Sequence, residues 1–470
     1  MRIEYAYKEG GVFLGEAVST ERAITRRRID FFTIATICRQ KCLVRARDAC
    51  AIGVFGLVLF VSNQSVAQDA QQDPTARPVL PDVIQGEGLL DRFDRIHRPS
   101  GFALGPFAVT ARMDLALGYD TNIFDSRHRA KDDGFLVSGA GLNATSLTPD
   151  HFVNFDGFIA RTTYFDTSSN DVWSGRMTAT GWKDVGSDLR LNGNALVARE
   201  VERRDDPQSS PETEPVAYWH YQAGSSLESR YAVVTFRGGL AYDRVDYDDV
   251  QSTEGKINLD YRNMNEVDAT GRATYNVGED RAFYLDTIAN VRLPDDKRDI
   301  FGIDRQSAGT VVSLGADYAV TPLIRLVASG GYRLQVYKDN DVNDVSGPVG
   351  SLQMLWQPTD TTEVGALFSH DFYESFDFSS PGYWLDVGRV SVTQQIRRDI
   401  VVIGQATVGT RDFISSSRSE SFYAFDASLK WGVMPGLIVS LDNTYEIQTA
   451  NADNGGFNSN VTLLHVTKSF

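Results

Sequence analysis

Apolar and polar side chains alternate along most of the chain from about residue 107 to the C-terminus. Near the end, for example, Leu437 and Leu441 share one parity, whereas Asp442 has the other. Successive side chains of a strand point to opposite faces, so each such segment has an apolar face and a polar face. The pattern therefore predicts an all-β protein.

The alternation predicts about eighteen strands within residues 107–470, although sixteen are also possible because the segment 246–262 is ambiguous. Short connections rich in Gly, Pro and Asp, such as one at Ser229-Arg230, alternate with longer acidic ones such as 203–215 and 293–305. Short turns at one end and long loops at the other are typical of membrane barrels. We therefore predict a transmembrane antiparallel up-and-down β-barrel.

The N-terminal part of the chain predicts export. Residues 51–61 form an apolar run that follows several basic residues, and Ser65-Val66-Ala67 is a small-x-small cleavage pattern. The run is too short for a membrane-spanning helix, which needs roughly 20 residues. We predict an N-terminal extension with a signal peptide at 1–67, cleaved near Ala67, and leave the translation start open. A periplasmic lead-in follows at 68–106, loosely ordered or else a plug or tether, and the barrel occupies 107–470.

Composition narrows the function classes. Cys38, Cys42 and Cys50 all precede the predicted cleavage site, so the exported chain would carry no disulfide. The net charge of −16 at pH 7 argues against nucleic-acid binding, which needs Lys and Arg at the phosphates. A mean hydropathy of −0.25 suits a barrel, in which half of each strand faces water, better than a bundle of membrane helices.

A short motif near the end of the first predicted strand resembles one of a known family. Gly118, Tyr119, Asp120, Asn122 and Phe124 form a stretch that resembles the GYD-x-N-(I/V)-(F/Y) opening of the outer-membrane family catalogued as putative β-barrel porin, type two. The resemblance implies an outer-membrane barrel, and some members of this class are associated with exopolysaccharide export.

The C-terminus resembles the signal read by the barrel-assembly machinery. Phe470 is the terminal aromatic residue, with Leu464 and Val466 at alternate positions before it. Lys468 departs from this pattern, because an apolar or aromatic residue is usual there. The resemblance implies that the assembly machinery is a partner of this chain.

A barrel of sixteen to eighteen strands leaves an aqueous channel in its centre. If the polar faces turn inward, charged side chains of both signs line the pore, which favours neutral or zwitterionic polar solutes. The predicted pore-lining residues are Asp156, Arg237, Asp268, Arg272, Asp286, Arg292, Arg325, Arg333, Asp426, Lys430, Asp442 and Glu446. Tyr284 and Tyr337 are also predicted to face inward, where they would stack on sugars or belong to aromatic girdles.

No catalytic or metal-binding residues are predicted, and no cofactor. Ser369, His370 and Asp371 are consecutive, so in a strand their side chains alternate between faces and cannot form a triad. The acidic segment 339–344 begins like a calcium loop but lacks its central glycine and later glutamate. The chain is therefore predicted not to be an enzyme.

The prediction is a porin-like channel of the cell outer membrane for polar solutes, and a finer form of it is the outer-membrane conduit of an exopolysaccharide export system. The alternative is a structural or adhesive barrel that binds a partner through its loops and has no open pore. The expected partners are outer-membrane lipid and lipopolysaccharide, the barrel-assembly machinery and polysaccharide export components, and not nucleic acid.

Overall fold

The computed structural model describes residues 88–146, 148, 151–207, 214–252, 255–278, 280–376, 380–451 and 456–470. The predicted signal peptide and the first part of the predicted lead-in lie outside the described residues, so those predictions stay predictions.

The described chain contains one α-helix, two short 3-10 helices (Ser168–Asn170 and Asp260–Arg262) and twenty-one strands. The helix is α1 (Leu89–Ile96), and the strands are β1 (Phe102–Leu104), β2 (Phe107–Asp120), β3 (Asp133–Ser146), β4 (His151–Tyr164), β5 (Val172–Val185), β6 (Leu189–Val201), β7 (Ala217–Tyr231), β8 (Val234–Tyr247), β9 (Val250–Ser252), β10 (Gly255–Ile257), β11 (Met264–Asn276), β12 (Arg281–Pro294), β13 (Ser307–Thr321), β14 (Ile324–Tyr337), β15 (Val345–Thr359), β16 (Thr362–Glu374), β17 (Gly382–Arg397), β18 (Ile400–Phe413), β19 (Ser419–Met434), β20 (Leu437–Ala450) and β21 (Phe457–Ser469).

Eighteen of these strands close into a barrel. Each of β2–β8 and β11–β21 pairs antiparallel with its neighbours in the chain, and the first strand of the ring, β2, pairs with the last, β21. The predicted closed antiparallel barrel of eighteen strands is therefore confirmed. Strands β9 and β10 form a separate hairpin in the connection between β8 and β11. This hairpin explains why the segment 246–262 was ambiguous in the sequence.

Among the described residues, the tight turns lie at one end of the barrel and the long loops at the other. Strand β7 continues to Tyr231, which pairs with Val234, so the turn there is Ala232-Val233 and not the predicted Ser229-Arg230. Ala232 has a φ of +51°, which closes the turn. We call the end with tight turns the turn end and the other the loop end.

Residues 88–106, the described part of the chain before β2, pack against the turn end of the barrel. Strand β1 pairs with the first residues of β2, and the amide of Phe470 donates to Ala111 O at 2.8 Å. Together β1 and the end of β21 cover one edge of β2. In the described part of the chain, no helix is both long and apolar enough to span a membrane. Residues 88–106 thus differ from a loosely ordered lead-in, because α1 and β1 both pack against the barrel.

Contacts between non-adjacent strands identify the inner face. Arg292 of β12 reaches Glu374 of β16 at 2.8 Å, and Arg333 of β14 reaches Asp371 of β16 at 3.1 Å. Side chains of such distant strands converge only on the concave side of a ring. The polar rows therefore face inward. The apolar rows face outward, as shown by Leu314, which is 67% exposed on β13. A barrel with an apolar outer face and a polar interior is stable in lipid.

This arrangement predicts opposite effects of the same charge on the two faces. Leu314→Arg places a guanidinium on the apolar outer face near the middle of β13, which costs about 2–4 kcal/mol in a bilayer. Ser313→Arg is the matched control, because Ser313 faces inward and pairs with Asp286. Urea unfolding of the protein in lipid vesicles measures both free energies. Equal destabilisation by the two variants would contradict the assignment of the faces.

Candidate functional site in the barrel lumen

The twelve predicted pore-lining side chains all belong to the inner rows of their strands, where most of the arginines pair with carboxylates. Across adjacent strands, Arg272 Nε lies 2.5 Å from Asp286 Oδ1, and Arg325 Nε lies 2.7 Å from Asp317 Oδ1. Arg237 pairs in the same way with Glu228. Pairing at these distances cancels much of the field that each guanidinium would exert on a passing solute.

The carboxylates without an arginine accept hydrogen bonds from neutral groups. Asp156 accepts from Asn143 at 3.3 Å. Asp426 accepts from Gln405 and Thr444 at 2.9 and 2.8 Å, and Asp442 from Ser440 at 2.6 Å. Asp268 lies directly opposite Asn290 on β12, and Lys430 occupies the same inner row as Asp426. The inner face therefore combines compensated ion pairs with amide and hydroxyl groups.

A loop with described residues on both sides of its gap crosses the lumen. It connects β6 to β7, and its described residues are 202–207 and 214–216; we call it the crossing loop. In ring order β6 is the fifth strand and β18 the fifteenth, so they lie on nearly opposite walls. Arg203 Nη2 reaches Glu446 Oε2 of β20 at 2.8 Å, and Asp205 Oδ2 accepts from Arg411 Nη2 of β18 at 3.4 Å. The loop therefore passes through the interior of the ring near the loop end.

The crossing loop docks on a buried charged cluster. Arg411 is 3% exposed and also donates to Glu420 at 3.2 Å, while its guanidinium lies 4.8 Å from the centre of the Phe422 ring. Arg418 donates to the Pro207 carbonyl at 3.1 Å and lies over the Phe413 ring. Arginine favours such sites, because its planar group stacks on aromatic rings while it binds carboxylates. The loop is thus held by several charged hydrogen bonds.

The carboxylates of this cluster titrate differently. Burial raises the pKa of Asp205, but Arg203 and Arg411 outweigh it and hold that pKa below its usual value. Asp125, in the loop after β2, has weaker compensation, because only Arg203 lowers its pKa and burial outweighs it. Burial, followed by the carboxylates of Asp205 and Glu446, raises the pKa of Asp125 well above its usual value. Asp125 is therefore a destabilising charge beside the docked loop at neutral pH.

Helix α1 occupies the turn end of the lumen. Phe93 is fully buried against Val401 and Ile403, which are inner-row residues of β18. The backbone amide of Leu89 donates to Glu363 on the inner face of β16 at 3.2 Å. Burial of Leu89 and Phe93 contributes roughly 1.5–3 kcal/mol each. The lumen is therefore narrowed at both ends.

Comparison with known families places the chain. The family described as "Putative beta-barrel porin 2" matches residues 96–470. The chain belongs to this family. The match spans all eighteen barrel strands, and it confirms the resemblance that the sequence motifs predicted. No curated protein matches the chain.

Several solved structures of outer-membrane barrels resemble this family member at low sequence identity. OccK2 (OpdF) of Pseudomonas aeruginosa aligns with a TM-score of 0.45 and 12% identity over 79% of this chain and 99% of its own. OccAB4 of Acinetobacter baumannii gives 0.43 and 13% over 77% and 98%. OpdK of Pseudomonas aeruginosa gives 0.42 and 9% over 77% and 99%. The strand pairing of this chain by itself establishes the barrel of eighteen strands.

The motif at residues 118–124, which resembles one of the porin family, lies where β2 pairs with β21 and closes the barrel. We call this pairing the seam. Asn122 is 2% exposed; its Nδ2 donates to Asn458 O at 3.0 Å and to Ser126 O at 3.1 Å. Asp120 Oδ1 accepts from Ser459 Oγ at 2.8 Å. These hydrogen bonds connect β2 to β21 at the loop end and stabilise the loop between β2 and β3.

The other motif residues have structural roles around the seam. The Phe135 ring lies where a side chain at Gly118 would be, and Tyr119 donates to Asp132 at 2.5 Å. The Phe124 ring faces the guanidinium of Arg204 in the crossing loop at 5.7 Å. The motif therefore connects barrel closure to the crossing loop.

The residues of the predicted assembly signal lie on the outer face of β21 and at its end. Leu464 pairs with Leu117 and Val466 with Leu115, both in the outer row of β2. Phe470 is half exposed, with the Lys468 ammonium 5.4 Å from its ring centre. Recognition by the assembly machinery stays a prediction.

Two tyrosines and a histidine also have defined positions. Tyr284 faces inward, with Arg272 4.4 Å from its ring centre, and Tyr337 is buried and donates to Glu374 at 2.9 Å. His370 lies 2.8 Å from Asp386, whereas Asp371 faces inward and binds Arg333. The consecutive residues 369–371 therefore do not form a triad.

The sequence did not predict the contacts of the crossing loop or the site on the inner wall where α1 packs. Arg203 and Glu446 are 243 positions apart, and no local pattern links them. The sequence does contain a sign of the α1 packing site. Val401 and Ile403 are apolar at inner positions, where the neighbouring rows are polar. Apolar residues at inner positions of a wet barrel indicate that another segment covers them.

The seam predicts that Asn122→Ala destabilises the barrel. The substitution removes the hydrogen bonds of the buried Asn122 amide to the partly buried Asn458 and Ser126 carbonyls, at a cost of about 1–3 kcal/mol. Asn340→Ala, at an exposed loop position, is the matched control. The temperature at which the folded band disappears on gels of unboiled samples measures the difference. Equal temperatures for the two variants would contradict the role of Asn122 in holding β2 and β21 together.

From the raised pKa of Asp125 we predict that Asp125→Asn stabilises the fold and that this stabilisation depends on pH. Because the folded-state pKa of Asp125 is raised, its ionisation destabilises the fold at neutral pH, and asparagine tolerates the φ of +44°. We expect a higher unfolding temperature at pH 7. The gain should shrink as the pH falls through the raised pKa and vanish below the ordinary value of 3.8, where aspartate is protonated in both states. A gain that does not change with pH would contradict this assignment.

Proposed function

We propose that the protein is an outer-membrane channel for small polar solutes that are neutral or zwitterionic. The observation that carries this proposal is the inner face, where arginines pair with carboxylates across adjacent strands within a closed ring of eighteen strands. A ring of this size leaves room for water. Paired charges provide polar contacts to a solute without a strong net field of either sign.

The crossing loop would set the size limit of this channel. It passes between nearly opposite walls, and its Asp205 side chain is 2% exposed among the side chains of the far wall. A solute would have to pass beside the loop at the loop end. The outer-membrane location is supported by the porin family and by the apolar outer face, and the loops would then face lipopolysaccharide.

Export of an exopolysaccharide is a finer form of the same proposal. Its support is the family resemblance of the motif at 118–124, together with an inner face rich in hydroxyl and amide groups. A polymer would require the crossing loop to move aside. Components of an export system would then be partners at the turn end.

The crossing loop and α1 also favour a second candidate, a structural or adhesive barrel with a blocked lumen. Both segments occupy the interior, and both are held by buried contacts. In this case the long acidic loops would bind a partner, and the lumen would conduct no ions.

Single-channel recording in planar bilayers tests the channel. Arg203→Glu replaces the ion pair with Glu446 by a repulsion, so the crossing loop should leave the far wall and conductance should rise. Arg203→Glu/Glu446→Arg restores an attraction across the same gap and should return conductance toward the native level. Steady steps that respond in this way support the channel.

Arg237→Glu is the matched control. Its partner, Glu228, lies on the adjacent strand, so the exchange changes charge in the wall without releasing a loop. A rise equal to that of Arg203→Glu would contradict the role of the loop. Silence of the native protein and of all variants, with the barrel folded, would favour the blocked barrel.

A further inference from the structure

The inner wall carries an apolar patch at the turn end. Val401 and Ile403 of β18 and Ile438 of β20 lie in inner rows, whose other members are mostly polar. In an open lumen these side chains would contact water at an unfavourable free energy. Their burial in this structure is due to α1, because Phe93 and Leu90 pack on them. We call this patch, together with Gly432 of β19, the α1 seat.

Helix α1 fits the seat with one face only. Leu89 and Phe93 are buried, while Asp91, Asp94 and Ile96 are exposed on the other sides of the helix. At its end the His97 ring lies on Gly432: a Cβ added there would come 2.2 Å from the imidazole. The glycine therefore provides the space in which the helix terminus sits.

Helix α1 and the residue after it also form hydrogen bonds with turns at the turn end of the barrel. Arg92 Nη2 donates to Asp360 O at 2.9 Å, in the turn between β15 and β16. Gly436, in the turn between β19 and β20, donates its amide to His97 O at 2.8 Å. The helix thus spans the rim from β16 to β20. Its connection to β1 is short, since only residues 97–101 separate them, so a released helix would stay near the mouth.

We propose that α1 is an autoinhibitory stopper of the lumen. Seated, it occludes the turn end beside β16–β20; released, it leaves that mouth open and exposes the α1 seat to water. This inference rests on the proposed channel function, of which it supplies the regulation. A helix with its side chains is about 10–12 Å across, a large part of the mouth of such a barrel, so its release should raise conductance about twofold or more.

A pair of substitutions on the same helix tests the stopper. Phe93→Asp places a carboxylate against Val401 and should release α1. Ile96→Asp adds the same charge three residues later on the exposed side and should leave α1 seated. Both are recorded in the native chain and in the Arg203→Glu chain, so that the crossing loop does not mask a change at the other end. A conductance rise with Phe93→Asp alone supports the stopper; equal conductance of the two variants in both chains overturns it.

A second substitution acts on the seat instead of the helix. Gly432→Ala adds a methyl group where the His97 ring lies, so it should displace the helix terminus. Gly404→Ala is the control, since no atom lies within 4 Å of the added Cβ. Different migration of boiled and unboiled samples on gels verifies that each barrel is folded. A rise with Gly432→Ala but not with Gly404→Ala is expected, and no difference between them counts against the stopper.

Cysteine labelling measures the exposure of the α1 seat independently of any conductance measurement. Ile438→Cys, in a chain with Cys38, Cys42 and Cys50 replaced by serine, should react slowly with a hydrophilic maleimide while α1 is seated. Phe93→Asp should speed this reaction, and Ile96→Asp should not. Faster labelling in bilayers that stay silent would contradict the channel while preserving the release of α1. Slow labelling in every variant of a conducting barrel would overturn the stopper and keep the channel.

Discussion

Closure of the strand ring is the constraint on which the rest of the structure depends. A sheet in lipid cannot leave unpaired backbone groups at an edge, so β2 must pair with β21 although they lie at opposite ends of the barrel sequence. The chain strengthens this seam at both ends. Asn122 ties β2 to β21 at the loop end, while β1 and the amide of Phe470 cover the start of β2 at the turn end.

Once the ring is closed, alternation fixes the chemistry of its interior. Each strand must place its polar row inside, so charges that would be solvated on a soluble protein face each other across the lumen. Pairing between neighbouring strands, as in Arg272 and Asp286, offsets the cost of bringing them together. The same polar wall offers docking points for segments of the chain that enter the ring, which is why the crossing loop binds through Arg203 and Asp205.

The barrel could be predicted from the sequence because its determinants are local. Strand bounds, face parity and nearly all of the tight turns follow from period-two alternation and from turn residues, and Tyr231 shows the usual error of a few residues at a strand end. The lumen could be predicted only as rows of residues. The pair Arg203–Glu446 depends on how a loop folds across a ring, and the fit of His97 on Gly432 depends on packing between segments hundreds of positions apart.

The two inserted segments act on the lumen in series. The crossing loop contacts β18 and β20 at the loop end, and α1 contacts β16–β20 at the turn end, so both obstruct the same side of the ring at different depths. In the proposed channel the electrical resistances of the two ends would add. Release of one segment would remove only the resistance at its own end, whereas release of both would leave the bore that the ring itself defines. The charged anchors of the loop and the apolar anchors of α1 also respond to different conditions, because acid protonates the carboxylates of the former and leaves the latter largely unchanged. In the proposed channel, the two ends of the lumen would thus respond to different physical changes, protonation at the loop end and loss of apolar contacts at the turn end.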